Sequence, residues 1–218
     1  MATPLSLSFE FKDKRWTDAA AGLQAFYGIL EKDFGAAAET LSREMREFLT
    51  TVTDAIAERN SGGWPGGTTE GSLSRRTGTL NEAILNSVEV TGSTFLDMEG
   101  SIGAPGIPYA SIQETGGTIK AKSGKMLAIP LPAAMTTDGV SMLRSPRDWP
   151  NTFVRKSKAG NLIIFMKLGD RIVPLYVLKP SVTIPARLGM QATLEAGAGY
   201  FVDRAIDSMV KAVTQGAD

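Results

Sequence analysis

Arginine and carboxylate side chains carry most of the chemistry open to this sequence, because its 218 residues include no histidine and no cysteine. Histidine is the usual proton carrier near neutral pH, and cysteine is the readiest neutral nucleophile and soft metal ligand. Their absence removes most hydrolase and zinc-enzyme designs. A reaction centre would have to run on carboxylates, lysine or a bound metal, yet no run of paired carboxylates has ligand-like spacing. The one Gly-Lys pair, Gly124-Lys125, is followed by Met126 and lacks the upstream glycine of a phosphate-binding loop. No G-x-S-x-G turn occurs either. The sequence therefore predicts a protein that is not an enzyme and carries no cofactor or metal.

The strong polar groups gather instead in three short signatures: Arg76-Thr77-Gly78-Thr79-Leu80, Tyr109-Ala110-Ser111-Ile112-Gln113-Glu114-Thr115-Gly116-Gly117, and Ile184-Pro185-Ala186-Arg187. Each mixes backbone punctuation with one or two strong polar side chains, the pattern of a shaped surface that must meet another surface. Arg75 and Arg76 can each span a carboxylate or phosphate with two parallel hydrogen bonds. Glu114, at the end of a helical turn, and Arg187, held behind a proline, are candidates for a buried pair that would orient sheet against C-terminal helix. The plain alternative is two solvated charges.

The elements that must position these groups follow from periodicity. Leu5 to Phe11 alternates strictly and predicts a strand. Leu23, Phe26, Tyr27, Leu30 and Phe34 predict a helix capped by Thr17 or Asp18, and Leu41, Met45, Phe48, Val52 and Ile56 predict a second, with Gly35 between them. Residues 60–78 are rich in glycine and predict a flexible loop, whose Trp64 must dock on its own chain or on a neighbouring subunit. A short helix from Thr79 to about Val88 follows.

A hairpin is expected over 89–102, a helical turn over Tyr109 to Glu114, and strands near Ile119, 126–131, 153–154, 162–166 and 172–178, with Pro174 marking an edge or a bulge. Residues 132–151 lack periodicity and read as an inserted excursion or arm. Leu188 to about Thr214 predicts a long helix packed on the sheet, with Gly197 and Gly199 at a close backbone approach. The expected fold is one α+β domain over 1–218: N-terminal helices, a central and mainly antiparallel sheet, and a long C-terminal helix.

Composition is that of a soluble globular chain, 43% apolar with a formal net charge of zero, and no apolar run is long enough to span a membrane. The zero is uneven. Residues 120–179 hold eleven Lys or Arg against three Asp or Glu, whereas residues 1–119 hold nine against sixteen. Such segregation suits packing between copies, or a basic rim near DNA. Its plain alternative is solvated loops and strand faces.

Taken together, a Trp-bearing loop leading to Arg76-Thr77-Gly78-Thr79-Leu80, the Tyr109 to Gly117 segment followed by the strand Lys125-Met126-Leu127-Ala128-Ile129-Pro130-Leu131, and Ile184-Pro185-Ala186-Arg187 before a C-terminal helix resemble the neck and tail-completion proteins of tailed bacteriophages, also called virion morphogenesis or head-tail joining proteins. The resemblance covers about residues 60 to 215. It implies a virion protein, assembled in the host cytoplasm, that forms a homo-oligomeric ring, expected sixfold, at the head-tail junction. Tail terminator or tail tube lies on one side, head-closure, adaptor or portal protein on the other, and DNA passes through without sequence-specific binding. Trp64, Arg75, Arg76, Tyr109, Gln113, Glu114, Arg144, Trp149 and Arg187 are the expected protein interface, and Lys120, Lys122, Lys125, Arg155, Lys156 and Lys158 the expected channel face. The alternative is a nucleic-acid-binding protein using the basic segment 120–179.

Overall fold

A computed structural model describes residues 9–11, 14–65, 71–94, 96–123 and 125–215. Its architecture is α+β, with a long helix first, antiparallel sheets in the middle and a long helix last. Of the strand expected over 5–11, Phe9–Phe11 forms β1 and pairs antiparallel with β2, Lys14–Trp16; the rest lies outside the described residues. Contacts sort the described residues into two compact units, one within Met1–Thr50, Val88–Ser101 and Ala196–Asp218, the other within Thr51–Ser87 and Ile102–Glu195.

One helix, α1, Ala19–Arg59, replaces the two expected on either side of Gly35. A mid-helix glycine costs about 1 kcal/mol relative to alanine, too little to interrupt an apolar stripe that stays in phase on both sides of it. Gly35 keeps negative φ, and Ala37 and Ala38 are buried just beyond it. Asp18 supplies the cap, its Oδ1 accepting from Ala20 N at 2.8 Å and Ala21 N at 3.1 Å.

In the first unit α1 packs on α4, the helix Met190–Gln215. Phe48 and Phe201 stack with ring centroids 4.9 Å apart. A side chain at Gly197 would lie 2.7 Å from the Phe48 ring, so the close approach expected at this glycine is to an aromatic ring rather than to backbone; Gly199 has open space around it. Buried Glu44 pairs with Arg204 Nε at 2.5 Å through Oε2, although no donated hydrogen reaches that oxygen in hydrogen-bond geometry. Glu47, accepting from Arg204 Nη2, and the charge of Glu44 together raise the guanidinium above its ordinary value. The expected hairpin is present as β3, Glu89–Thr91, and β4, Glu99–Ser101. Its turn is organised by Asp97 Oδ1, which accepts from Thr94 N, Thr94 Oγ1 and Ser93 N.

The second unit opens with the last turns of α1 and with α2, Thr79–Leu85. A short helix, α3, Ala110–Thr115, leads into β5, Gly117–Lys120, and β6 is Leu127–Pro130. Strands β7, Thr152–Lys156, β8, Leu162–Leu168, and β9, Arg171–Lys179, join β6 in an antiparallel sheet of order β6-β9-β8-β7. Pro174 lies in β9, a central strand, and is accommodated by a bulge: Ile164 faces Tyr176 while Phe165 faces Pro174, leaving Leu175 unpaired in the register. Leu175 is fully buried and, with Ala134 and Tyr176, centres the core of this sheet. The last strand, β10, Ser181–Ile184, pairs antiparallel with β5.

Residues 132–151 fold along this sheet. Two 3-10 turns, Pro132–Ala134 and Pro146–Asp148, bracket a tight reversal in which Thr136 N donates to Val140 O and Gly139 N to Thr136 O. Tyr176 gathers the stretch: its hydroxyl accepts from Trp149 Nε1 at 3.1 Å and lies 3.3 Å from Ser141 Oγ.

Candidate functional site

The three polar signatures, far apart in the chain, converge in the second unit. Ile184 of β10 faces Gly117 of β5 across the ladder. The carbonyl of Gln113, in α3, accepts from Arg187 N at 2.7 Å and Leu188 N at 2.9 Å. One residue on, the Glu114 carboxylate accepts from Met190 N at 2.8 Å through Oε2 and from Gln191 N at 2.8 Å through Oε1. Two consecutive residues of α3 thus hold four backbone donors of the segment entering α4, at positions 187, 188, 190 and 191. An anion at a helix N-terminus satisfies amides that have no partner within the helix and opposes the helix dipole.

This overturns the expected Glu114 to Arg187 pair. No ion pair joins the two side chains; each Glu114 oxygen accepts instead from a backbone N–H group. Gly116 makes the approach possible. Its φ is +68°, and a Cβ there would lie 2.9 Å from Ala186 N and 3.1 Å from Ile184 O.

Beside this clamp lies a cavity of about 740 Å³, walled by residues of all three signatures together with Trp64, Arg75 and the Val140-Ser141 reversal. Arg76 fixes one wall. Its Nη1 donates to Gly139 O at 2.7 Å, and its guanidinium carbon lies 4.3 Å from the centroid of the Trp64 ring. Gly139 is buried with φ +73°, and a Cβ there would come within 2.6 Å of the Trp64 indole. Of the two docking modes open to Trp64, the structure shows docking on its own chain, with 36% of the residue left exposed.

Asn60, expected only as the start of a loop, also lines the cavity. Asn60 is 2% exposed, donates through Nδ2 to Ile56 O and Leu188 O, and accepts from Leu73 N at 2.9 Å. It thereby ties the end of α1 to the loop before α2 and to the turn after β10. The available signal was its position one residue past the last helical arginine.

The other expected interface residues are placed as follows. Arg75, Tyr109, Gln113 and Arg187 line the cavity. Trp149 is half-buried against the core of the four-stranded sheet, and Arg144 is exposed away from the cavity. The six residues expected on a channel face are all exposed: Lys120 on β5, Lys122 and Lys125 in the following loop, Arg155 and Lys156 on edge strand β7, and Lys158 in the β7–β8 turn. None of the six lines the cavity.

Among the described residues no three His, Cys, Asp or Glu side chains gather as a metal site, and no helix is long and apolar enough to cross a membrane. Comparison with protein-family models, with curated proteins and with solved structures finds no match.

Proposed function

We propose that this chain is a structural protein of a tailed-bacteriophage virion, forming a homo-oligomeric ring at the head-tail junction and acting without turning over a substrate. The observation that carries this reading is how the three signatures are used. Their polar groups bond backbone segments to one another: Gln113 O to Arg187 N and Leu188 N, Glu114 to the start of α4, and Arg76 to Gly139 O. Residues so committed build a rigid shape rather than present a nucleophile and its base.

Uncovered apolar surface in the first unit supports self-assembly. On α4, Val202, Ile206 and Val210 recur every fourth residue and are 50%, 49% and 55% exposed. A contiguous apolar stripe of this kind is costly in water and marks a face that meets another protein surface. Negative-stain imaging of the purified full chain tests the reading. Closed rings with a central opening are expected, and Ile206→Lys should abolish them. A wild-type protein that stays monomeric at every concentration counts against it.

The alternative, nucleic-acid binding through segment 120–179, is favoured by the exposure of Arg155, Lys156 and Lys158 around an edge strand. Affinity for duplex DNA that falls steeply with salt would favour it, since each neutralised phosphate releases counterions.

A further inference from the structure

We propose that the cavity beside α3 receives a carboxylate-bearing segment of a partner protein chain, gripped by Arg75 and Arg187. Among the described residues the cavity wall contains three arginines, Arg75, Arg76 and Arg187, and no aspartate or glutamate. Arg76 is engaged with Gly139 O and the Trp64 ring. The other two are held only by their backbones: Arg75 N donates to Gly62 O at 2.7 Å, and Arg187 N to Gln113 O at 2.7 Å. Neither guanidinium has a hydrogen-bond or ion-pair partner among the described residues, and both residues are exposed. A guanidinium offers five donors in a planar fork that matches a carboxylate.

The remainder of the wall suits a peptide. The Tyr109 hydroxyl and the Gln113 side-chain amide also have no partner among the described residues, which leaves donors and acceptors for peptide backbone groups. Trp64, Leu73 and Ile184 supply apolar surface for side-chain stems, and a volume of about 740 Å³ falls in the range that buries a ligand of several groups. A nucleic-acid backbone is less well matched. Phosphates are bound along open tracks of cations, and the exposed Lys120, Lys122, Arg155 and Lys156 lie off the cavity. The proposal stands on the cavity alone and does not depend on the neck assignment.

Fluorescence anisotropy of fluorescein-labelled triglutamate, titrated with the full chain at low salt, tests it. Saturable binding is expected, weakened about tenfold by Arg187→Gln and about tenfold by Arg75→Gln, the loss that goes with one charged hydrogen-bonding group. Arg187→Lys, which keeps the charge and loses the fork, should fall between. Unchanged melting temperatures would show that the variants remain folded. Unlabelled triglutamate should compete, while triglutamine should not. Absence of saturable binding, or binding by both glutamine variants as tight as by wild type, overturns the proposal. So does displacement of the peptide by pyrophosphate or a short single-stranded oligonucleotide at lower concentration than by triglutamate, which would assign the cavity to phosphate.

Discussion

Glu114 and Met190 meet across 76 positions of sequence: the carboxylate Oε2 accepts from the first helical amide of α4 at 2.8 Å, and its other oxygen takes the next amide. A cap supplied from a separate helix couples the stability of α4 to the packing of α3. Glu114→Ala should therefore destabilise the chain by about 1–2 kcal/mol, the range for losing a helix cap. Arg187→Gln should leave stability within about 0.5 kcal/mol of wild type, as expected for an exposed side chain without an ion-pair partner among the described residues. Urea denaturation of both variants separates the cap from a salt bridge, because a salt bridge would make the two losses similar.

Gly116 gives a second, steric test of the same clamp. At φ +68°, with backbone atoms of Ala186 and Ile184 closer than a Cβ tolerates, alanine brings both strain and collision. Gly116→Ala should cost more than about 1 kcal/mol, and its effect should overlap with that of Glu114→Ala in a double-mutant cycle rather than add to it.

The two glycines of α4 should respond in opposite directions. Nothing lies within 4 Å of a Cβ built on Gly199, whereas one on Gly197 would press on the Phe48 ring at 2.7 Å. Gly199→Ala should stabilise by up to about 1 kcal/mol through helix propensity. Gly197→Ala must displace the Phe48 ring from its stack on Phe201, an overpacking cost of about 1–3 kcal/mol that offsets the propensity gain. Thermal melts of the pair give the comparison.

The hairpin of the first unit should loosen in acid. The Thr94 backbone N–H, then the Thr94 hydroxyl, hold the Asp97 carboxyl below its ordinary value. A lowered native value means that the carboxylate's contribution is complete above the ordinary range and is lost as pH falls through the native value. Amide chemical shifts of Ser93 and Thr94 should report this transition below the ordinary carboxylate range, and Asp97→Asn should remove it.

Much of this architecture was legible in the sequence because its signals are local. Apolar spacing found the strands of the four-stranded sheet and α4 but not the short strands β2 and β10, and of the edge or bulge that Pro174 marked, the bulge is present, since proline cannot donate to the ladder. Gly35 misled because a local propensity penalty of about 1 kcal/mol is outweighed by an apolar stripe spanning 41 residues. The site was legible only in part. Arginines and glycines were visible as types, but the partner of Glu114 was not, since backbone amides carry no residue identity in a sequence. Asn60 and Gly139 escaped for the same reason: one holds carbonyls and an amide N–H from three segments, and the other leaves room for the Trp64 indole.

The proposed connector role is tested most directly by deleting the gene for this chain from the genome that encodes it and imaging the virus particles produced. The account predicts filled heads and finished tails that stay separate, rejoined when the wild-type chain is supplied in trans. Normal yields of joined, infectious particles in its absence would contradict it.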